Sequence, residues 1–95
     1  MVYHFERVHP GSILADELKA RNMTPNALAV AIRVPASRID QIVKGKRAIS
    51  AETALRLGRF LGTGPDIWPN MQSGHDLWKA EQEFGSKIRK EIKAA

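Results

Sequence analysis

Pro35 ends one short helical pattern and opens another, and this break limits the fold more than any other feature of the chain. Proline disfavours helical geometry at the preceding Val34 but is tolerated in a first helical turn, so a turn of about three or four residues separates the flanking segments. Upstream, "TPNALAVAI" puts Thr24 at an N-cap and Pro25 at the first helical position, with Ala27, Leu28, Ala31 and Ile32 on one apolar face. Downstream, a helix is expected roughly from Pro35 to Lys44. Ile39, Ile42 and Val43 share its apolar face, leaving Ser37, Arg38, Gln41 and Lys44 on the others. Gly45 terminates this helix, and Lys44 suits the negative end of its dipole.

Helical patterns also dominate the rest of the sequence. "HPGSILADELKARN" has Pro10 near a helix start, Ile13, Leu14 and Leu18 at helical spacing, and Asp16 and Glu17 in the early turns. After "GKRAI", Ser50 caps "AETALRLGRFLG", in which Leu55, Leu57, Phe60 and Leu61 are expected to point largely inward and Gly62 to stop the helix. From Asp76 onward, Leu77, Ala80, Phe84, Ile88 and Ile92 recur every three or four residues, an amphipathic helix that Gly85 weakens by ~1 kcal/mol relative to Ala. Alternation suited to a strand is confined to the first few residues. The fold class is therefore all-α. A length of 95 residues supports one core, so we expect a helical domain over residues 1–72 with a helical extension over residues 73–95.

Two helices joined by so tight a turn, the second with a polar outer face, form the helix-turn-helix pattern. Such a helix fits the DNA major groove when its early side chains match base edges, and Ser, Arg and Gln are competent to do so. Ser37, Arg38 and Gln41 are the candidates: Arg38 can pair bidentately with guanine and Gln41 with adenine. Lys44, Lys46 and Arg47 follow at the helix end and in the loop, where long cations reach phosphates, and the helix N-termini at Thr24 and Ser50 offer backbone N–H groups to phosphate oxygens. From Arg33 to Arg47 five basic residues stand against the single Asp40, and the chain carries a formal charge of +5. A bias toward polyanions follows. The plainer alternative is an αα pair whose cations are only solvated, and spacing alone does not decide between them.

Other function classes find little support. No apolar run approaches the ~20 residues of a membrane helix, and "MVYHFERVHP" lacks the basic start and apolar core of a secretory signal. With no cysteine, disulfides and thiolate metal sites are excluded, and a cytoplasmic location is expected. His4 and His9, and His75 beside Asp76, offer too few convergent ligands for a metal, and no phosphate-cradling Gly-rich loop or Ser/His/Asp pattern is present. No enzyme activity and no cofactor are expected.

The residues His9-Pro10-Gly11, Val34-Pro35 with Arg38-Ile39, Gly45-Lys46-Arg47, Thr53-Ala54-Leu55-Arg56-Leu57, and Trp68 with Asn70, Gln72, Asp76 and Leu77 occur in an order and spacing that resembles the HigA-type antitoxins. These are a branch of the lambda-repressor-like (Xre) helix-turn-helix family. The resemblance implies a domain of about five helices that dimerises, binds a palindromic operator, represses its own operon and neutralises a HigB-type (RelE-like) ribosome-dependent mRNA endonuclease. By position it implies Ala36, Ser37, Arg38 and Gln41 on the groove face, Lys44 following, and Lys46 and Arg47 on the DNA backbone. Three residues depart from the family pattern. Pro25 stands where a phosphate-binding Gln is frequent, and Arg33 where the turn often has Gly, implying a left-handed residue at some cost or a different turn. Pro69 replaces a frequent Leu after Trp68, implying a kink or a late start for helix 5.

The stripe beyond Asp76 either packs on its own core or pairs two copies about a twofold axis, which would match a palindromic operator. Trp68, Leu77, Trp78, Phe84 and Ile88 are the expected interface residues, the two tryptophans serving as core or interface anchors. A stand-alone Xre-type regulator without a toxin, and a toxin-binding protein with weak DNA binding, are the alternative functions.

Overall fold

The computed structural model describes residues 8–95. His4 lies outside them. Five helices follow in order: α1 Pro10–Ala20, α2 Pro25–Ile32, α3 Ala36–Val43, α4 Ala51–Leu61 and α5 Ile67–Glu91. The described residues contain no strand.

Local chemistry sets most of the helix starts. The Thr24 hydroxyl accepts from the Ala27 N–H at 3.0 Å with Pro25 next in line, and the Ser50 hydroxyl accepts from the Thr53 N–H at 3.2 Å, as the sequence predicts. At α1 the cap is His9, whose Nδ1 accepts from the Gly11 N–H at 2.9 Å. Pro35 stands just outside α3 rather than inside it, with φ −59° and ψ 142°, and its carbonyl accepts from the Arg38 N–H.

The ends of α1, α2 and α3 share one device. A left-handed residue stops each helix, and the next residue's N–H reaches back five positions: Asn22 with Met23 to Leu18, Arg33 with Val34 to Ala29, and Gly45 with Lys46 to Gln41. Arg33 therefore adopts the left-handed option at φ 61°, preserving the tight turn at a steric cost that glycine avoids. Two arginines add caps from distant helices. Arg21 Nη2 donates to the Leu61 carbonyl at 3.0 Å, and Arg56 Nη1 to the Ile32 carbonyl at 2.9 Å.

One core unites the helices. Leu14 and Leu18 of α1, Leu28 and Ile32 of α2, Ile39 and Ile42 of α3, Leu57 and Leu61 of α4, and Trp68 and Met71 of α5 are buried together. Helix α2 packs chiefly on α3, and its buried residues are Leu28, Ala29 and Ile32; Ala27 and Ala31, expected on its apolar face, are exposed instead.

Three further expectations need correction. In α4 the inward face is Thr53, Ala54, Leu57, Gly58 and Leu61, whereas Leu55 and Phe60 are exposed; about 100° per residue turns them off the core-facing stripe. Helix α5 starts at Ile67, ahead of Pro69 and well ahead of Asp76, and continues for 25 residues. Pro69 occupies the first turn, whose N–H groups have no helical partner to lose. Trp68, expected at a dimer interface, lies instead in the protomer's own core, 2% exposed, with its indole N–H donating to the Thr63 hydroxyl at 3.1 Å.

Candidate nucleic-acid interface

The outer side of α3 carries what its apolar side cannot. Ile39 and Ile42 anchor the helix in the core, so Ala36, Ser37 and Lys44 face solvent and Arg38 and Gln41 are half-buried at its flanks. The α3–α4 loop then adds the exposed Lys46 and Arg47. All seven residues predicted from the sequence for groove or backbone contact on this helix and loop are thus brought to one surface. Thr24 and Ser50 are also exposed at the starts of α2 and α4. The Ser50 hydroxyl is fully engaged, since it also donates to Thr53 Oγ1 at 3.1 Å, so only backbone N–H groups there remain for an anion.

The polar side chains on this surface are held by neighbours. Arg47 Nε donates to Gln41 Oε1 at 2.9 Å, so the loop cation lies along α3 instead of standing apart from it. Lys44 Nζ pairs with Asp40 Oδ2 at 3.0 Å one turn back. Arg38 Nη1 meets Glu52 Oε1 of α4 at 3.3 Å. None of these partners stood out in the sequence except Lys44–Asp40, whose four-residue spacing is the usual helical ion-pair signal.

Behind the loop, α5 provides a polar buttress. Gln72 is 8% exposed; its Oε1 accepts from the Ile49 N–H at 2.9 Å, and its Nε2 donates to Asp76 Oδ1 at 3.0 Å. A buried amide thereby fixes the end of the loop to α5. The His9 and His75 rings meet edge to face with centroids 5.1 Å apart, and Trp78, half-buried, lies beyond His75.

Burial pushes the His9 imidazole below its ordinary value near 6.5; His75 and Lys79 push the same way, while Asp76 and a hydrogen bond to the Arg47 backbone oppose them. Folding thus favours neutral His9, in keeping with Nδ1 acting as the acceptor that caps α1. As pH falls, the unfolded chain takes up this proton first, so stability is expected to decline below pH 6.5 until the folded-state value is passed. His9→Asn keeps a capping acceptor and cannot titrate. Urea midpoints at successive pH values should show a shallower acid-side decline in this variant, and equal slopes would remove His9 as the cause.

Among the described residues no group of three or more His, Cys, Asp or Glu is placed to hold a metal ion, and no helix is long and apolar enough to cross a membrane. Along α5, Leu77, Phe84 and Ile88 are exposed large hydrophobics on one side of the helix, and Ile92 just past its end is exposed too.

Comparison with known proteins places this surface in context. Residues 14–68 match the Helix-turn-helix family HTH_3, a span that begins in α1 and ends in α5. Virulence-associated protein I of Dichelobacter nodosus is 48% identical over 77 residues, covering 80% of this chain and 71% of that protein. An addiction module antidote protein of a HigA family from Coxiella burnetii superposes with a TM-score of 0.90 at 42% identity, over 94% of this chain and 98% of that one. The Pseudomonas aeruginosa antitoxin HigA, solved with the higBA promoter, gives 0.89 at 42% identity, over 92% and 96% of the two chains. The chain belongs to the helix-turn-helix family, in its branch of HigA-type antitoxins.

Proposed function

We propose that the chain is a sequence-specific repressor and the antitoxin of a type II toxin–antitoxin pair, autoregulating its operon and neutralising a HigB-type, RelE-like mRNA endonuclease. The observation that carries this reading is the polar outer face of α3, followed at once by the exposed cations Lys44, Lys46 and Arg47, in a fold shared at 42% identity with a HigA solved on promoter DNA. Helix α3 enters the major groove, with Ala36 and Ser37 close to the bases and Arg38 and Gln41 reading their edges. Lys44, Lys46 and Arg47, with the N-termini of α2 and α4, hold the phosphates and set the register. Arg47 does more than neutralise charge, because its contact with Gln41 Oε1 turns the Gln41 amide hydrogens toward acceptors on the bases.

Residues 1–72 are the DNA-binding unit in this reading. Residues 73–95 pair two protomers through Leu77, Trp78, Phe84 and Ile88, so that two α3 helices meet a palindromic operator. The protein works in the cytoplasm, where its DNA is, and no residue is assigned a catalytic role.

Fluorescence anisotropy against a duplex from upstream of the coding sequence, with a scrambled duplex as control, tests the first half. A preference of ~10³-fold or more at near-physiological salt is expected. Arg38→Ala should reduce that preference by roughly 5- to 150-fold, the equivalent of one bidentate base contact. Lys46→Ala should weaken both duplexes alike and lower the salt slope by ~1. Equal binding to both duplexes that vanishes with salt would leave only a basic surface. For the second half, co-expression with the neighbouring toxin gene should restore growth, and Arg38→Ala should neutralise as well as the parent does.

A further inference from the structure

We propose that Glu52 is a specificity-determining positioning residue, one that fixes the Arg38 guanidinium for base readout although it contacts no base itself. The inference rests on the assignment of Arg38 as a base reader. Glu52 lies in the first turn of α4, within reach of Arg38 on α3, and its side chain is 65% exposed. A carboxylate there opposes every phosphate that the surrounding cations attract, so it lowers affinity for DNA of any sequence. Something specific has to offset this.

The geometry supplies it. Glu52 Oε1 lies 3.3 Å from Arg38 Nη1 and 3.6 Å from Arg56 Nε, so one oxygen is bracketed by two guanidinium groups. Arg56 is itself tied down, since its Nη1 donates to the Ile32 carbonyl at the end of α2. A continuous set of contacts runs from the α2 terminus through Arg56 and Glu52 to Arg38, crossing the helix-turn-helix from its rear to its reading face. Arg38 is correspondingly restrained, with a side chain only 27% exposed. An isolated exposed ion pair adds little stability, but this one sets where a long, flexible side chain points. With Nη1 engaged, the Nε/Nη2 edge of Arg38 remains free, and that edge presents two parallel N–H donors of the kind guanine O6 and N7 accept. Ordering the side chain before DNA arrives removes that entropic cost from the docking step.

Equilibrium binding of the parent, Glu52→Ala, Glu52→Gln, Arg38→Ala and the Glu52→Ala/Arg38→Ala double variant to operator and scrambled duplexes tests this. Glu52→Ala is expected to bind the scrambled duplex more tightly yet to lose about tenfold in operator preference, within what one base contact discriminates. Glu52→Gln keeps an acceptor oxygen and should retain most of the preference, while sharing the rise in scrambled binding. In the Arg38→Ala background, removing Glu52 should change the preference no further. A preference that is unchanged or raised by Glu52→Ala, or one lowered equally without Arg38, would overturn the positioning role; a rise would mean that Glu52 competes with DNA for Arg38. If Arg38→Ala itself leaves the preference intact, the base-reader assignment fails and this role falls with it. A silent Glu52→Ala beside an effective Arg38→Ala refutes the role of Glu52 alone.

Discussion

Gly11→Ala is expected to lower the folding stability of the protein by about 3 kcal/mol, the upper part of the range for overpacking. A Cβ at this position would stand 1.8 Å from the Ile42 carbonyl oxygen and 2.8 Å from its carbon, and 3.0 Å from His9 Nδ1. The obstacle is backbone. Ile42 is itself fully buried and its carbonyl accepts the Gly45 N–H that closes α3, so neither partner can rotate aside. Relief requires α1 and α3 to separate, which opens the core around Leu14 and Ile39. For a domain of this size such a loss lowers the thermal midpoint by roughly 10–25 °C, and urea titration gives the free energy directly. Ala at Gly85, also within a helix, is the contrast. There the new Cβ meets only the carboxylate end of the flexible Glu81 side chain, so better helix propensity should make the change neutral or stabilising by up to ~1 kcal/mol. A Gly11→Ala variant within about 0.5 kcal/mol of the parent would show that the two helices move apart freely.

How much of this was legible beforehand follows from the range of each interaction. Thr24-Pro25, Ser50 and Gly45 act within four or five residues of themselves, so the limits of α2, α4 and α3 could be read from local chemistry to within a residue or so. The start of α5 could not. Asp66 makes no side-chain cap, and the effect of Pro69 depends on whether the helix begins before or after it, a matter settled by Trp68, the second residue of α5, entering the core. Helix α4 posed a similar ambiguity, because its leucines and Phe60 lie on overlapping stripes. Gly58 decides it, since α4 approaches so closely at this point that a Cβ would stand 2.4 Å from the Gly64 backbone.

The residues on the outer side of α3 were readable from local periodicity. Periodicity that sends Ile39 and Ile42 inward sends Ser37, Arg38, Gln41 and Lys44 elsewhere. What holds those side chains was hidden. Arg38 and Glu52 are 14 residues apart on separate helices, and Gln72 reaches Ile49 across 23. No spacing rule links such positions until the fold has placed them, although the Glu52–Arg56 pair within α4 was a local signal that could have drawn attention to this carboxylate.

Phe84→Glu combined with Ile88→Glu is expected to convert the protein from the proposed dimer to a monomer and to lower operator affinity by about 10²- to 10⁴-fold, the gain that linking two binding units confers. Leu77, Phe84 and Ile88 are 72%, 47% and 47% exposed in the single chain, and at about 100° per residue they fall within one narrow stripe of α5. In the proposed dimer a second copy of the same stripe, related by a twofold axis, would bury it without any other partner. Two carboxylates in its middle would face their symmetry mates and the existing Glu81 across a surface that excludes water. The core is untouched, because neither Phe84 nor Ile88 belongs to it, so thermal stability of the helix-turn-helix should hold while light scattering reports half the mass. The scrambled duplex separates the two effects of added negative charge: its affinity should fall only modestly, whereas the operator loses the second half-site, ~34–36 Å away along the helix axis, that the partner's α3 would occupy. A dimer that persists puts the interface on another surface of the chain. Monomers that keep the parent's operator affinity would mean that one α3 suffices, and the two-helix reading of a palindrome would have to be abandoned.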